Sequence, residues 1–318
     1  MGPENLIDLA AGRTAALFHY SPYYFLRHLS RERQQELFGA GRAARWGQGP
    51  TEEIIQTGSN PSEIYWLLNL LGWDSEYFAT PTYRVFTGLF ATRTSAADLL
   101  AAANELRRQL AVRHGNFYAF SVVPAEDVQL LQALTGAGWQ LVETRLTYYH
   151  NQLSELTAGR HAVRAATLAD AARIGQIAAT ARNPYDRLHA DARVDDALAD
   201  AYVGRYAENT IAAGLATTVL VPSEPALLVD SFLAISDLES DAAALHTRLS
   251  RVLLTAVGPA NRGWHLKLVA ETLHRARLLQ HEAVLMTTQA TNHAVFRTSE
   301  KLGFRLGATS HVLACHGL

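Results

Sequence analysis

Val284-Leu285-Met286-Thr287-Thr288 is a short apolar run closed by polar residues, the pattern of a buried strand. Thr291 or Asn292 follows with a side-chain oxygen able to cap a helix N-terminus. Gly303 supplies a residue that can end that helix. Gly303-Phe304-Arg305-Leu306-Gly307-Ala308-Thr309 then turns into a last strand reaching about Cys315. The unit is strand, helix, Gly-aromatic corner, strand.

The same plan stands 165 residues earlier, counted from Gly138 to Gly303. Ser121-Val122-Val123-Pro124-Ala125-Glu126-Asp127 reads as a strand running into a helix, with Pro124 in the first helical turn and acids where the helix dipole favours them. Val128, Leu131 and Leu134 recur at helical spacing, and Gly136 and Gly138 can end the helix. Gly138-Trp139-Gln140-Leu141-Val142-Glu143-Thr144 leads into the alternating Arg145-Leu146-Thr147-Tyr148. Two related half-folds account for the repeat; a coincidence between common α/β units is the alternative. Polar, aperiodic Asn151 to His161 is the best linker, which divides the chain into domains 1–153 and 160–318.

In the first half the spacing predicts a helix over Ser62 to Leu71, a strand over Tyr83 to Phe90, and an amphipathic helix over Leu99 to Val112. Residues 1 to about 50 read only as scattered helix. The second half reads as a strand (Val163 to Ala165), two helices (Leu168 to Ala181, Asp195 to Ala213) and three strands (Thr217 to Val221, Leu227 to Ile235, Leu245 to Ala256). A helix over Gly263 to Leu279 precedes the closing unit. That order predicts an α/β fold, a mixed sheet covered by helices.

Composition narrows the class. Of 318 residues, 48% are hydrophobic and 18% charged, enough apolar material for a sizeable core and too much for disorder. A net charge of −2 offers no electrostatic footprint for nucleic acid. The single cysteine, Cys315, excludes an internal disulfide and a cysteine-based zinc cluster, and His311 and His316 have no acidic partner at ligand spacing, so no metal site is expected. No apolar run approaches the ~18 residues of a membrane helix, and Met1-Gly2-Pro3-Glu4-Asn5 lacks the basic start of a signal peptide. A soluble, cytoplasmic protein without membrane contact is expected.

Chemistry concentrates at one junction. The strand ending Val252-Leu253-Leu254-Thr255-Ala256 breaks at Val257-Gly258-Pro259-Ala260-Asn261-Arg262-Gly263, and a helix starts at once. A helix N-terminus leaves about four backbone N–H groups unpaired at the positive end of the dipole. A pyrophosphate can accept them if the chain allows close approach, which Gly263 does, while Arg262 and Lys267 add charge. The plain alternative is an ordinary turn.

The second half resembles the GCN5-related N-acetyltransferases (GNAT). Val257-x-Pro259-x-x-Arg262-Gly263 is similar to the start of their pyrophosphate loop. Thr288-Gln289-x-x-Asn292-x-Ala294 with Glu300-Lys301-Leu302-Gly303-Phe304 is similar to their last strand, helix and strand. Trp73-Asp74-Ser75-x-Tyr77-Phe78 with Arg84, Arg187-x-His189-Ala190-Asp191 and Tyr206-x-Glu208-Asn209 resemble a two-domain subgroup similar to dTDP-fucosamine acetyltransferase, whose first domain is a degenerate GNAT half. The resemblance implies acetyl-CoA as co-substrate, lying where the sheet splays between the strands at 245–256 and 283–288. Val257, Arg262, Gly263, Trp264, His265, Lys267, Gln289 and Asn292 would bind it, Asn292 serving alternatively or simultaneously as a helix cap. Arg187, Asp191, Tyr206 and Asn209 would face a small-molecule amine acceptor such as an amino sugar. A homodimer is compatible with the family.

The pattern departs in two places. The family loop runs Arg-x-x-Gly-x-Gly, whereas His265 and Lys267 replace its later glycines here; they either block the phosphates or, through Lys267, supply charge in exchange. The tyrosine that protonates the departing thiolate in many members falls at Ser299, too weak an acid to do more than relay through water. Glu208 and His189 are candidates for accepting the amine's proton, as are Asp191 and His246, each against a plain reading as surface charge or satisfied histidine. An N-acetyltransferase is the expected activity. A GNAT-fold binding module without transfer chemistry, or an enzyme acting on protein amines, are the alternatives.

Overall fold

A computed structural model describes residues 4–59 and 62–317; Met1 to Pro3, part of the start read for a signal peptide, lie outside them. The chain forms two compact units. One comprises the residues up to Thr144 together with those from Thr309 onward, and the other is Arg145–Ala308.

The first unit begins with four helices, α1 (Glu4–Gly12), α2 (Thr14–Leu17), α3 (Arg31–Phe38) and α4 (Ala40–Ala44). Strands β1 (Glu52–Thr57) and β2 (Ile64–Leu70) follow, then α5 (Gly72–Tyr77), β3 (Thr82–Leu89), α6 (Ala96–His114), β4 (Tyr118–Pro124), α7 (Val128–Gly136) and β5 (Gln140–His150). The second unit adds β6 (Val163–Ala165), α8 (Ala171–Thr180), α9 (Asp196–Ala212), β7 (Thr218–Pro222), β8 (Ser231–Ser236), α10 (Glu239–Leu245), β9 (Leu249–Val257), α11 (Trp264–Leu278), β10 (Ala283–Gln289) and α12 (His293–Lys301), and the last strand, β11 (Arg305–His316), belongs from Thr309 onward to the first unit.

Three expectations need correction. The stretch Ser62 to Leu71 holds strand β2 (Ile64–Leu70) and no helix: Ile64 to Leu68 are buried at 0–1% exposure on both faces, so the run shows no alternation to mark it as strand. Pro124 closes β4 instead of opening a helix, and α7 starts only at Val128 after a turn. The strand expected from Leu245 begins at Leu249, because Glu239–Leu245 forms the short helix α10.

Within the first unit the strands run β1-β2-β3-β4-β11. All neighbours are antiparallel except β3 and β4, which pair parallel from Thr82↔Tyr118 to Val85↔Ser121. Helices α6 and α7 pack Leu99, Leu106, Leu110, Leu130 and Leu134 against Trp66, Val85, Phe117 and Leu313. Past Val85 the paired register ends, while β3 continues to Leu89 and β4 to Pro124. Arg13 and Tyr20 bridge the ends of this gap. The Arg13 guanidinium donates to Thr87 Oγ1 (3.0 Å), to the Gly88 carbonyl and to Asp127 (2.6 Å), and lies 4.2 Å from the Phe90 ring centroid. The Tyr20 hydroxyl donates to the same carboxylate at 2.7 Å.

Within the second unit the order is β5-β10-β9-β8-β7-β6, with Arg145–His150 supplying the β5 end. Only β9 and β10 are parallel. Helix α11 buries Leu268, Val269, Leu273 and Ala276 against Leu233, Ile235, Val284 and Met286. On another cluster α8 and α9 close over Val219, Val221 and Phe232.

The repeated corner has one geometry in both units. Gly138 and Gly303 are left-handed, with φ of 83° and 76°. Each N–H bonds the carbonyl three residues back, Thr135 or Glu300, and each following aromatic N–H bonds the carbonyl five back, Leu134 or Ser299. This is the Schellman helix ending, in which glycine avoids the Cβ clash of the left-handed region. Trp139 and Phe304 are buried beside it.

Candidate functional site

In the second unit β9 and β10 pair over four residues only, from Leu249↔Ala283 to Val252↔Met286. Beyond that β9 runs on to Val257, held on its other side by β8, and β10 runs on to Gln289. The backbone of Leu253 to Val257 thus has no ladder partner on the β10 side.

The loop that follows is fastened from below. Asp230 accepts from the Ala260 N–H at 2.9 Å and from Arg173 at 2.7 Å, and its carbonyl accepts from the Gly258 N–H at 2.6 Å. A Cβ on Gly258 would collide with the Asp230 carboxylate and could be accommodated only by moving that carboxylate off the Ala260 N–H and Arg173. Asn261 is buried and donates to Ser231 Oγ at 2.9 Å. Gly263, at φ 92°, turns the chain into α11, and no side chain caps that helix. A Cβ at Gly263 would meet nothing within 4 Å, so there is open space beside the uncapped start of α11.

A cavity of about 860 Å³ lies at this turn, in the size range of ligand sites. Val257, Gly258, Gly263 and His265 form one wall, and Arg297, Thr298 and Lys301 of α12 the other. Its charged lining is entirely cationic: Arg262, Arg297 and Lys301. All three are exposed, and none has a salt-bridge partner among the described residues. An uncapped helix start ringed by unpaired cations selects an anion.

His265 does not fill the turn. Its Nδ1 lies 3.0 Å from Thr298 Oγ1, which draws the ring toward α12. Burial pushes the imidazole pKa down to about 4, so the ring is neutral near pH 7.

The other expected residues divide clearly. Val257, Arg262, Gly263 and His265 meet at the cavity. Trp264 is buried in the core under α11 and lends its ring to Lys267, whose Nζ sits 4.3 Å from the ring centroid and 3.1 Å from Glu224. Lys267 therefore spends its charge on Glu224, outside the cavity lining. Gln289 accepts from Asn183 at 2.7 Å, and Asn292 caps α12 through the Val295 N–H at 3.2 Å. Ser299 is fully buried and donates to the Val295 carbonyl at 2.9 Å.

Glu208 is exposed on α9, away from the cavity lining. His189 is clamped at both ring nitrogens, 2.7 Å from Asp186 and 3.0 Å from Asp200, so both already have partners, and it is not among the residues lining the cavity. Arg182 in turn holds the Asp200 carboxyl below the usual carboxylate range. Asp191 is buried and accepts from the Arg193 N–H at 3.1 Å; Arg187 is half-buried in the same loop. Tyr206 and Asn209 are half-buried on α9, where burial raises the Tyr206 pKa. His246 is the left-handed residue that ends α10, not part of β9.

Sequence reasoning missed Arg297, Thr298 and Lys301. On a helix surface positions three and four apart share a face, so 294, 297, 298 and 301 form one stripe directed at the cavity. Two cations in that stripe were the available signal.

No protein-family model matches this chain, and no curated protein matches it in sequence. Solved structures do match along its length. A GCN5-related N-acetyltransferase from Sphaerobacter thermophilus is 12% identical with a TM-score of 0.55, over 99% of this chain and 94% of that one. A tandem GNAT protein from the clavulanic acid biosynthesis pathway is 13% identical with a TM-score of 0.51, over 99% and 95%. The fold is the tandem GNAT fold. A fungal GCN5-related glucosamine N-acetyltransferase region, within a multi-domain GH3 β-N-acetylglucosaminidase, gives 10% identity and a TM-score of 0.56; this chain covers 37% of that longer protein.

Proposed function

We propose that the second unit is an acyl-CoA-dependent N-acyltransferase, most naturally an acetyltransferase, that acts on a small amine. The observation carrying this reading is the parting of β9 from β10 over an uncapped, glycine-started helix edged by unpaired cations. The residues present fit the carrier: the open position at Gly263 admits a pyrophosphate, Arg262, Arg297 and Lys301 match its charge, and the free edge of Leu253 to Val257 offers backbone partners to an amide-bearing arm.

The carrier supplies a thioester: an amine attacks its carbonyl carbon, the C–N bond forms, the C–S bond breaks and the thiol departs. The free edge of β9 would orient that carbonyl, and the amides at the start of α11 would hold the phosphates. Catalysis of this kind is mainly positioning. None of Ser299, Glu208 and His189 reaches the cavity with a free proton-transfer group, so the reading assigns the amine's proton to solvent. The thiol itself is a tolerable leaving group, with a pKa close to the ~8.5 of cysteine.

An amino sugar is the first acceptor class to test, since one structural neighbour is described as a glucosamine N-acetyltransferase region. Acetyl-CoA incubated with glucosamine and a panel of other amines, read by free thiol, tests the activity. Transfer to at least one amine is expected. The double engagement of His189 and the sequestered Ser299 favour a second reading, a CoA-binding module without transfer. Saturable CoA binding with no thiol release from any amine would establish it instead.

A further inference from the structure

His265 occupies the second position of α11, and its side chain lies against Thr298 of α12. The Thr298 hydroxyl has one proton, which it donates to the Ala294 carbonyl at 3.1 Å. With that proton on the Ala294 carbonyl, the oxygen accepts from His265 Nδ1–H, 3.0 Å away. That assignment fixes the tautomer: in a neutral ring the lone pair is on Nε2. Nε2 is buried and has no hydrogen-bond partner among the described residues, although His265 lines the cavity. A buried acceptor without a donor is unfavourable, and a ligand able to provide the donor relieves it.

Phosphate cannot be that donor, because its oxygens would oppose the lone pair. His265 is thus chemically unlike the three cations that share its cavity. The donors available on an acyl-CoA, apart from its nucleotide, are a hydroxyl and two amide N–H groups on the arm between pyrophosphate and sulfur. We propose that His265 Nε2 accepts a hydrogen bond from this arm, making His265 the residue by which the cavity distinguishes the whole thioester carrier from a nucleotide bearing the same phosphates. The inference rests on the acyl-CoA reading. It also gives a role to the residue standing where the family loop has glycine.

Calorimetric titration of the full chain with CoA and with 3′-phosphorylated ADP, the carrier's nucleotide portion, tests the assignment. His265→Phe keeps ring volume and removes the acceptor; it should weaken CoA about five- to tenfold and leave the nucleotide within about twofold of wild type. His265→Gln supplies an amide oxygen toward the ligand and an N–H toward Thr298, and should stay within about threefold of wild type for both. Equal loss of both ligands in His265→Phe, no loss of either, or His265→Gln behaving like His265→Phe would overturn the proposal while leaving the acyl-CoA reading in place. A wild-type protein that binds neither ligand would overturn both.

Discussion

Asp127 and Asn292 hold the same position in the two units: each is the residue just before the helix that follows the second parallel strand, 165 residues apart like the glycine corners. Asn292 is neutral and spends its side chain on capping α12. Asp127 is an ion, 2% exposed, and is bound by Arg13 and Tyr20. In the first unit the gap between the parallel strands thus ends at a carboxylate already paired to the chain's own arginine. In the second unit the corresponding gap ends at a cavity lined by cations.

This pairing predicts a large penalty for separating the ions. Arg13→Met leaves a buried carboxylate without its partner and should cost roughly 3–5 kcal/mol in urea unfolding. Arg13→Met combined with Asp127→Leu removes both charges and should recover most of that loss. A double variant no more stable than the single one would contradict the ion-pair account.

The same difference predicts stoichiometry. Calorimetry should give one CoA per chain, because the gap in the first unit ends at a carboxylate paired with Arg13, where that in the second ends at an uncapped helix start and unpaired cations. Two equivalent sites per chain would be incompatible with Asp127 as described.

Much of this was legible in the sequence because local chemistry dictated it. Gly138-Trp139 and Gly303-Phe304 announced helix endings that only a left-handed residue completes, and Asp195 and Asn292 are caps where a short polar side chain precedes a helix. Val257 through Gly263 was readable as a strand-to-helix turn for the same reason. What stayed hidden depended on distant partners. Nothing local shows that β2 is sheathed on both faces, that Glu224 takes the charge of Lys267, or that Asp186 and Asp200 occupy both nitrogens of His189. Arg297 and Lys301 read as a solvated helix face until α12 is placed beside the start of α11.

His265 predicts a particular acid response. Its folded pKa is about 4 against an ordinary 6.5, so between those values the unfolded chain binds a proton that the folded chain refuses. Stability should therefore fall as pH drops from about 6.5 to about 4, by at most roughly 3 kcal/mol from this group, and this contribution should level off below pH 4. His265→Phe should show a shallower decline across that window in urea unfolding. An identical slope would mean the ring titrates normally in the fold.

The cationic rim predicts salt-sensitive binding. Raising ionic strength from 0.05 to 0.5 M should weaken CoA several-fold, since exposed charges are screened beyond a Debye length that shrinks to a few ångström. Arg297→Glu with Lys301→Glu should lower affinity at least about tenfold and flatten the salt response. Unaltered affinity in that double variant would place the phosphates elsewhere.

The most direct test of the central claim is CoA affinity measured on wild type and on Gly263→Val. Valine at φ 92° is strained by about 1–2 kcal/mol and puts bulk into the open space beside the start of α11, where its Cβ meets no neighbouring atom. The account predicts saturable binding to wild type and its loss in a variant that still unfolds cooperatively. Binding of equal strength in the two proteins, or none to wild type at millimolar CoA, would contradict it.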